Sequence, residues 1–367
     1  ARYLLVANEW GSDHARLAIF VSFDGQEYTP GSGFGVVANA LKTDDRLFGV
    51  SYRSQLEAWR FTVQPQFETI EMTGRLSSTN ESKWWLPLSV GWSTFILDWS
   101  LSPGLVYHHV EYPGASRRYD LVSPRVVVKR QFRDWNFAST LGSYFRHPTM
   151  AELYGQPQVL VGNSALKPER SAKAEVSLGQ KFSRLNWTLT HYHSLAEDII
   201  VNTQNAQNIM TSMNVGRSWI WGTVAEVTAR SGGWEAGASV SQLSTVNLSE
   251  IPSQIGKSLP LRPSVELKSR LAWHTDRLRL EVSHTLYGPM ALDAANRQEL
   301  SMTHSLDLMT AYRLGVWGDL GLEITNLLDT VLATRVVGDY RFDAPTSGLL
   351  GYPAPGRRIG ISWRIEL

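Results

Sequence analysis

Cysteine is absent from the 367 residues of the chain. This absence excludes disulfide bridges, thiolate nucleophiles and zinc sites built on cysteine. An excess of one charge is absent too, because 35 lysine and arginine residues balance 34 aspartate and glutamate residues and the formal net charge is +1. Phosphate binding needs a concentrated basic surface, so no nucleic-acid partner is expected.

No apolar run reaches 18 residues, which excludes a transmembrane helix, and no secretory leader is recognisable at Ala1. The phosphate-binding loop, the dinucleotide fingerprint, the zinc-protease spacing and the nucleophile elbow are all missing. No nucleophile, acid and base are arranged in a pattern typical of catalysis. We therefore expect neither an enzyme nor a bound cofactor.

Apolar and polar residues alternate along much of the chain. In residues 265–273 the odd positions are apolar, except Ser269, and positions 266, 268 and 270 are charged. The same period of two recurs at 278–286, 306–314, 320–325 and 359–367 and, more weakly, at 17–23 and 59–68. This period predicts about 17 or 18 strands of roughly 9 to 13 residues, near the length that a tilted strand needs to cross a bilayer.

The connections between these strands fall into two classes that alternate along the chain. Tight turns are expected at 132–135, 183–185, 231–233, 274–277 and 315–319, and long polar loops at about 147–169, 199–213, 247–262, 288–302 and 329–356. A meander with short turns at one end and long loops at the other is typical of outer-membrane barrels. A soluble β-sandwich would share the strands, but its Greek-key connections would not sort by length.

The polar faces of the strands carry full charges, such as Glu266, Lys268 and Arg270 on one strand. A dry core would not accept them, so we predict a hydrated lumen on this side and lipid on the apolar side. Tryptophans at strand ends are then candidates for interfacial girdles: Trp84, Trp85, Trp92, Trp99, Trp135, Trp219, Trp221 and Trp317. The predicted fold class is all-β, a transmembrane antiparallel up-and-down β-barrel of about 16–22 strands, with short periplasmic turns and long extracellular loops, in one domain over residues 1–367.

Several motifs occur in order along the chain. They are "YDLVSPRVVVKRQF" at 119–132, "FRHPTMAELYG" at 145–155, "GNSALKPERS" at 162–171, "NVGRSWIWGTVAEV" at 214–227, "ITNLLDT" at 324–330 and "YPAPGRRIGISWRIEL" at 352–367. Together they resemble the barrel of the TonB-dependent outer-membrane receptors, over roughly residues 95–367. The likeness is to the siderophore and cobalamin receptors rather than to large sugar importers.

The resemblance implies a Gram-negative outer-membrane protein in contact with outer-membrane lipid. In that family the barrel encloses an N-terminal plug, and an inner-membrane TonB-type energy complex acts on a short N-terminal box to release a bound nutrient, commonly an iron chelate or cobalamin. The implied function is uptake of such a scarce nutrient. Neither a plug nor a box is recognisable in this chain. A plugless barrel that serves as a scaffold or as a component plugged by another envelope protein is therefore an alternative, and a passive pore is a third.

The long loop near residue 160 carries the residues that the motifs single out. Arg146, Glu152, Lys167, Glu169 and Arg170 are expected to form a charged cluster that anchors this loop at the outer rim. Asn326, Asp329, Gly356 and Arg357 are expected to anchor the last loop. The full set of structural and family-motif positions is Arg146, Pro148, Glu152, Leu153, Tyr154, Leu166, Pro168, Glu169, Arg170, Asn214, Gly216, Asn326, Asp329, Pro355, Gly356 and Arg357. Ligand-binding residues are not identified by the pattern.

Histidine pairs invite a metal hypothesis, but no metal site is expected. His108 and His109 are adjacent, so on a strand they point to opposite faces. His191 and His193 share a face with apolar neighbours, which favours interfacial packing over ligation. Two acidic pairs, Asp44–Asp45 and Glu197–Asp198, could bind calcium at the surface, but solvated loops are the favoured interpretation. "GSGFG" at 31–35 is interpreted as a turn.

Overall fold

The computed structural model of the protein describes residues 2–12, 14–28, 41–73, 78–156, 160–204, 210–260, 262–297, 299–330 and 356–364. Almost all regular structure in these ranges is β-strand, and the predicted all-β antiparallel class is confirmed. The strands from the first half are β1 (Arg2–Gly11), β2 (Ala15–Tyr28), β3 (Leu41–Leu56), β4 (Trp59–Val63), β5 (Gln66–Thr73), β6 (Ser78–Trp92), β7 (Thr94–Ile96), β8 (Trp99–Tyr112), β9 (Arg117–Phe132), β10 (Trp135–Arg146), β11 (Gly155–Gln156), β12 (Leu160–Val161) and β13 (Glu169–Lys181).

The remaining strands are β14 (Leu185–Gln204), β15 (Met210–Ser231), β16 (Trp234–Asn247), β17 (Val265–His274), β18 (Leu278–Tyr287), β19 (Met290–Ala291), β20 (Glu299–Leu300), β21 (Thr303–Arg313), β22 (Asp319–Thr325) and β23 (Arg358–Arg364). One short helix, α1 (Met150–Tyr154), lies between β10 and β11, and a 3-10 turn spans Gly315–Trp317. Of the strands in the described ranges, twenty-one belong to one sheet, and β19 and β20 form a separate hairpin. Within the described ranges, no helix is long and apolar enough to cross a membrane.

The chain divides into two compact units. Unit 1 comprises Ala1–Val128, Thr140–Lys173 and Ala196–Arg217, and unit 2 comprises Lys129–Ser139, Ala174–Leu195 and Ser218–Leu367. In unit 1, β1, β2, β3, β4 with β5, β6 and β8 pair in chain order as antiparallel neighbours. In unit 2, β15, β16, β17, β18, β21, β22 and β23 do the same.

The register gives each unit an apolar face, which we call the outer face, and an opposite inner face. In unit 1 a row of directly paired residues crosses five strands on the outer face, in the order Val6, Val21, Phe48, Phe67 and Trp84. In unit 2 the corresponding row is Leu271, Val282, Leu308, Ile324 and Ile359. A register shift by one residue would move all these side chains to the other face, so the alternation in the sequence specifies the pairing.

The outer face stays exposed. Phe48 is 49% exposed and Trp84 53%, and many other large apolar side chains on these strands are similarly open. Continuous apolar surface of this kind marks contact with a partner or a lipid phase. The predicted apolar side of the strands is therefore present as one continuous surface in each unit.

Residues of the inner face build the core of unit 1. Ile70, Met72, Val110 and Tyr112 of β5 and β8 pack against residues of the long loop, namely Met150, Leu153 and Leu166, and against Ile200. The loop that was predicted only as a polar connection thus covers the inner face of its own unit with apolar side chains. A helix of five residues is too short to show a period in the sequence, which explains why α1 was not predicted.

Most predicted turns are found where the alternation stops. The strands end and restart at 132–135, 181–185, 231–234, 274–278 and 313–319. The predicted bounds of the loop at about 199–213 are wrong at both ends, because β14 continues to Gln204 and β15 begins at Met210; residues 205–209 lie outside the described ranges. Asn and Gln disfavour strands by propensity, but ladder pairing uses the backbone, and Ile199 and Ile200 are buried. The predicted turn at 31–35 lies outside the described residues.

Candidate functional site

The long loop between β10 and β13 begins with a capped helix. Thr149 is the N-cap of α1: its Oγ1 accepts a hydrogen bond from the Glu152 amide at 3.2 Å, and the Thr149 amide donates to Glu152 Oε2 at 2.7 Å. This capping box satisfies two amides that a helix start leaves without partners. The sequence "HPTMAE" places Pro148 just before the cap, where a missing amide donor costs nothing.

Arg146 ties both ends of this loop together. Its Nη1 donates to both carboxylate oxygens of Glu152, at 3.1 and 2.9 Å, and its Nη2 donates to Glu169 Oε1 at 2.8 Å. Glu152 is 1% exposed. A buried carboxylate is tolerated only when it is paired and hydrogen-bonded, and Arg146 together with Thr149 supplies these partners. Glu169 Oε1 also accepts from the Ile200 amide at 2.8 Å, which links β13 to β14.

Of the five residues predicted to form the charged cluster, the structure brings together Arg146, Glu152 and Glu169. Arg170 does not join them, because it follows Glu169 on a strand and lies on the exposed face of β13. The Lys167 side chain is exposed, and this residue contributes through its backbone instead. We call Arg146, Thr149, Glu152 and Glu169 the Arg146 cluster.

The side chain of Asn214 holds the end of the loop. Its Oδ1 accepts from the Lys167 amide at 2.8 Å, and its Nδ2 donates to the Lys167 carbonyl at 3.0 Å and to the Asp198 carbonyl at 2.6 Å. Pro168, next to the Lys167 backbone that Asn214 binds, is buried. Gly216, two residues beyond Asn214, is exposed in β15. The Asn-Val-Gly motif therefore fixes the loop through its asparagine.

Three tyrosines seat the loop on the hairpin of β8 and β9. The Tyr112 hydroxyl donates to the Pro148 carbonyl and lies 3.0 Å from His147 Nδ1. Tyr119 donates to the Leu166 carbonyl at 2.8 Å, and the Tyr154 hydroxyl accepts from the Ala115 amide at 3.1 Å. Burial, and then the positive charge of Lys83, lowers the pKa of His147 to about 4, so this imidazole is neutral at pH 7.

A second hydrogen-bonded cluster, centred on Asn326, anchors the start of the last long loop. Asn326 is buried with a positive φ of 52°. Its Oδ1 accepts from the amide and the hydroxyl of Thr330, both at 3.0 Å, and its Nδ2 donates to the Thr330 carbonyl at 2.8 Å. Its own amide donates to Asp307 Oδ1 at 2.7 Å.

Asp329 connects this Asn326 cluster to the chain just before β23. Its Oδ1 accepts from the Arg357 amide at 2.8 Å, and a Cβ on Gly356 would lie 2.8 Å from the same oxygen. Glycine at 356 therefore lets the backbone approach the carboxylate. Pro355 lies outside the described residues.

Charged residues on the inner face of unit 2 form a network across three strands. Arg270 of β17 donates to both carboxylate oxygens of Glu281 of β18, at 2.6 and 2.9 Å, and lies 3.4 Å from Glu235 of β16. Arg279 adds a contact to Glu281 at 3.2 Å. These charges are paired and partly exposed, as expected for a hydrated surface.

Beside this network lies an open cavity of about 510 Å³. Its polar lining includes Glu226, Lys268 and Arg270 with His284, and Gly237 contributes no side chain. Such a surface can offer both charges and hydrogen bonds to a polar solute.

The histidine and tryptophan side chains singled out in the sequence lie on different faces of their strands. His108 accepts from Trp85 Nε1 at 3.0 Å on the inner face, and His109 Nδ1 lies 2.8 Å from Asp120 on the outer face. The expectation that Trp85 joins an interfacial girdle is wrong, because Trp84 takes the outer face and its neighbour must take the inner one. Trp85 packs against the core of unit 1 instead.

The acidic pairs and the second histidine pair do not form a metal centre with three or more protein ligands. Asp44 pairs with Lys42 at 2.6 Å and Glu197 with Arg217 at 3.1 Å. Among the described residues, no group of three or more His, Asp or Glu side chains could hold a metal ion. His191 and His193 lie side by side on the outer face of β14, with their Nε2 atoms 2.8 Å apart.

Several residues that organise these sites were missed in the sequence. Thr149 carried a signal, since a threonine followed three residues later by glutamate is a capping box. Tyr112 and Asp307 carried none, because His147 and Asn326, their partners, lie 35 and 19 residues away. Thr330 lies only four residues from Asn326, but the residue types alone do not mark this pair. Only the tertiary contacts identify them as part of the loop anchors.

Comparisons with known proteins agree with this architecture. Residues 3–327 match the family model described as TonB dependent receptor-like, beta-barrel. The vitamin B12 transporter BtuB of Photobacterium profundum is 28% identical over 200 residues, which cover 52% of this chain and 31% of that protein.

Solved structures share the fold at low identity. The copper transporter OprC superposes with a TM-score of 0.72 at 16% identity, covering 97% of this chain and 64% of that chain. The ferric yersiniabactin uptake receptor FyuA from Yersinia pestis gives 0.68 at 15% identity, covering 98% of this chain and 60% of that chain. The chain therefore spans less than two thirds of the length of these relatives.

Proposed function

Because the chain belongs to the TonB-dependent receptor β-barrel family, we propose that it takes part in the uptake of a scarce nutrient across the bacterial outer membrane. The family match over residues 3–327 carries this proposal. The nutrient that we propose is a metal chelate or a cobalamin. Outer-membrane lipid would contact the exposed apolar face of each unit, and a TonB-type energy complex would be the partner that drives release.

The inner face has the chemistry that such a solute requires. Glu226, Lys268 and Arg270 border the cavity of unit 2 with charges of both signs, and the Arg270 network holds its strands in register. Chelates of iron and cobalamins are polar molecules with many hydrogen-bonding groups. A surface with exposed, mutually paired charges can bind them without the large desolvation cost of isolated charges.

The substrate class rests on the relatives. BtuB is named a vitamin B12 transporter and FyuA a ferric yersiniabactin uptake receptor. BtuB is similar in sequence as well as in family, so cobalamin is the first ligand to test and a ferric chelate the second. The Arg146 cluster would hold the long loop of unit 1 in one conformation. A loop that is already ordered lowers the entropy cost of binding a ligand.

The test uses the protein produced from its complete gene and folded in lipid vesicles. Binding of cyanocobalamin, of a ferric catecholate chelate and of a ferric hydroxamate chelate is measured by tryptophan fluorescence and calorimetry. Uptake of the ligand that binds is then followed in a bacterium that lacks its own receptor, with and without an active energy complex. Energy-dependent uptake of one ligand is the expected result.

Two outcomes would replace the proposal. Steady ion conductance of the vesicles without binding of any ligand would indicate a passive pore. Absence of both conductance and binding, with co-purification of another envelope protein, would indicate a scaffold or a barrel plugged by a partner.

A further inference from the structure

We propose that His191 and His193 form a chelating site for a divalent transition metal ion, with a preference for Cu²⁺, on the outer face of β14. The two residues are spaced by two on a strand, so their side chains project from the same face. Their rings lie 4.7 Å apart, and their Nε2 atoms approach to 2.8 Å. The two Nε2 atoms share a hydrogen bond, and imidazole nitrogens this close on one strand face can both bind a metal ion that takes the place of the shared proton.

The distance between the nitrogens selects the geometry. Metal–imidazole bonds are about 2.0–2.1 Å long. Two such bonds at a right angle place their nitrogens about 2.9 Å apart, whereas a tetrahedral angle places them about 3.3 Å apart. The observed 2.8 Å is the length of a hydrogen bond between the two rings, so a metal ion that replaces the shared proton needs to spread the nitrogens by only about 0.1 Å to reach the right angle. Square-planar or tetragonal coordination of this kind is preferred by Cu²⁺ and Ni²⁺ rather than by Zn²⁺.

Thr223 orients the first of the two rings. Its Oγ1 lies 2.8 Å from His191 Nδ1. When Nδ1–H of His191 donates to this oxygen, Nε2 keeps its lone pair and can bind a metal ion. A hydrogen bond at the far nitrogen of a ligating histidine fixes both its tautomer and its ring orientation, as in established metal sites.

The surroundings leave room for the other ligands. His191 and His193 are exposed, and the described residues supply no third carboxylate or imidazole to the pair. Water would therefore complete the coordination. Trp219 lies 6.1 Å from the His193 ring and Trp221 lies 5.1 Å from Trp219. Tryptophans of this kind sit at the hydrated membrane interface, where a metal ion has access.

This site is separate from the surface proposed for nutrient binding, because it occupies the opposite face of the strands. Trp219, Trp221 and Thr223 alternate in β15 with residues of the inner face such as Glu226. A failure of metal binding here would leave the uptake proposal unaffected, and the reverse also holds.

The test measures Cu²⁺ binding to the folded protein in lipid vesicles, by equilibrium dialysis and by electron paramagnetic resonance. We expect one tight Cu²⁺ whose spectrum shows two nitrogen ligands, with weaker binding of Ni²⁺ and Zn²⁺ in the order set by ligand-field preference. His191→Ala and His193→Ala should each weaken binding at least about tenfold, and Thr223→Val by about tenfold through loss of orientation. His274→Ala, a change at an exposed histidine on another strand, is the control and should have no effect.

Folding of each variant is checked by its heat-dependent shift on a detergent gel. The proposal is overturned if both histidine variants, correctly folded, bind Cu²⁺ as the parent does. It is also overturned if the spectrum shows a single nitrogen ligand, or if binding occurs in detergent micelles and disappears in vesicles. The last two results would assign the pair to interfacial packing.

Discussion

Arg146 donates from a single guanidinium nitrogen to both carboxylate oxygens of Glu152, although Glu152 is almost completely buried. The second guanidinium nitrogen holds Glu169 at the far end of the same loop. One cation therefore closes a loop of more than twenty residues onto the strand from which it departs. The anchor depends on charge pairing under an apolar cover, so it should be sensitive to loss of either charge.

Replacing Arg146 by methionine should destabilise the protein by about 3 kcal/mol, because it leaves the Glu152 carboxylate buried without its partner. Denaturant unfolding in lipid vesicles measures the global effect, and hydrogen exchange of the Thr149 and Ile200 amides measures the local one. Adding Glu152→Gln to Arg146→Met should restore part of the loss, since the amide still accepts from Thr149. Arg170→Met, on the exposed face of β13, is the matched control. Equal effects of Arg146→Met and Arg170→Met would contradict the anchor.

Acid should loosen the same loop through His147. Burial and the charge of Lys83 lower the pKa of His147 to about 4, whereas an unfolded histidine titrates near about 6.5. The unfolded chain therefore binds a proton first as the pH falls. The stabilising contribution is complete above about pH 6.5 and declines until about pH 4, by about 1–3 kcal/mol. Unfolding measured across this window should show the slope, and His147→Asn should flatten it; an unchanged slope in that variant would assign the effect to other groups.

Asn326→Ala should cost about 2–3 kcal/mol, because it removes the hydrogen bonds to Thr330 and strains the backbone. Alanine would have to adopt a φ of 52°, which disfavours any residue with a Cβ. Asn326→Gly keeps the backbone conformation and loses only the side-chain bonds, so it should be less damaging than alanine. Thermal unfolding of the three proteins tests this order. If glycine proves worse than alanine, the strain contribution is refuted.

The two faces of β13 should differ in their response to charge. Val176 is 47% exposed on the outer face, and the next residue, Ser177, faces the other way. Val176→Arg should cost about 2–4 kcal/mol in a bilayer because arginine would meet lipid. Ser177→Arg should cost less, since the inner face already carries charge. Folding titrations into vesicles compare the two variants, and equal costs would mean that the outer face does not meet lipid.

Local pattern accounts for much of the fold. Period-two alternation predicts the strands, and glycine or polar pairs at 231–233 and 274–277 predict their turns, because both signals arise within a few residues. The same logic predicts that His108 and His109 lie on opposite faces. It fails at 199–204 and 210–213, which belong to β14 and β15, and at Trp85, which faces inward because its neighbour Trp84 faces outward.

The sequence by itself determined the class of the protein, the two faces of its strands and its family, because alternation and motif order are properties of the linear chain. Tertiary structure alone decided how the loops are held. Arg146 meets Glu169, and Asn326 meets Asp307, across intervals that no local pattern spans. These residues pair because their strands lie next to each other. Burial beneath the loop also favours the pairing, because an unpaired buried charge or amide costs free energy. The contact between the His191 and His193 rings likewise depends on rotamers and on the hydrogen bond to Thr223, neither of which the sequence displays.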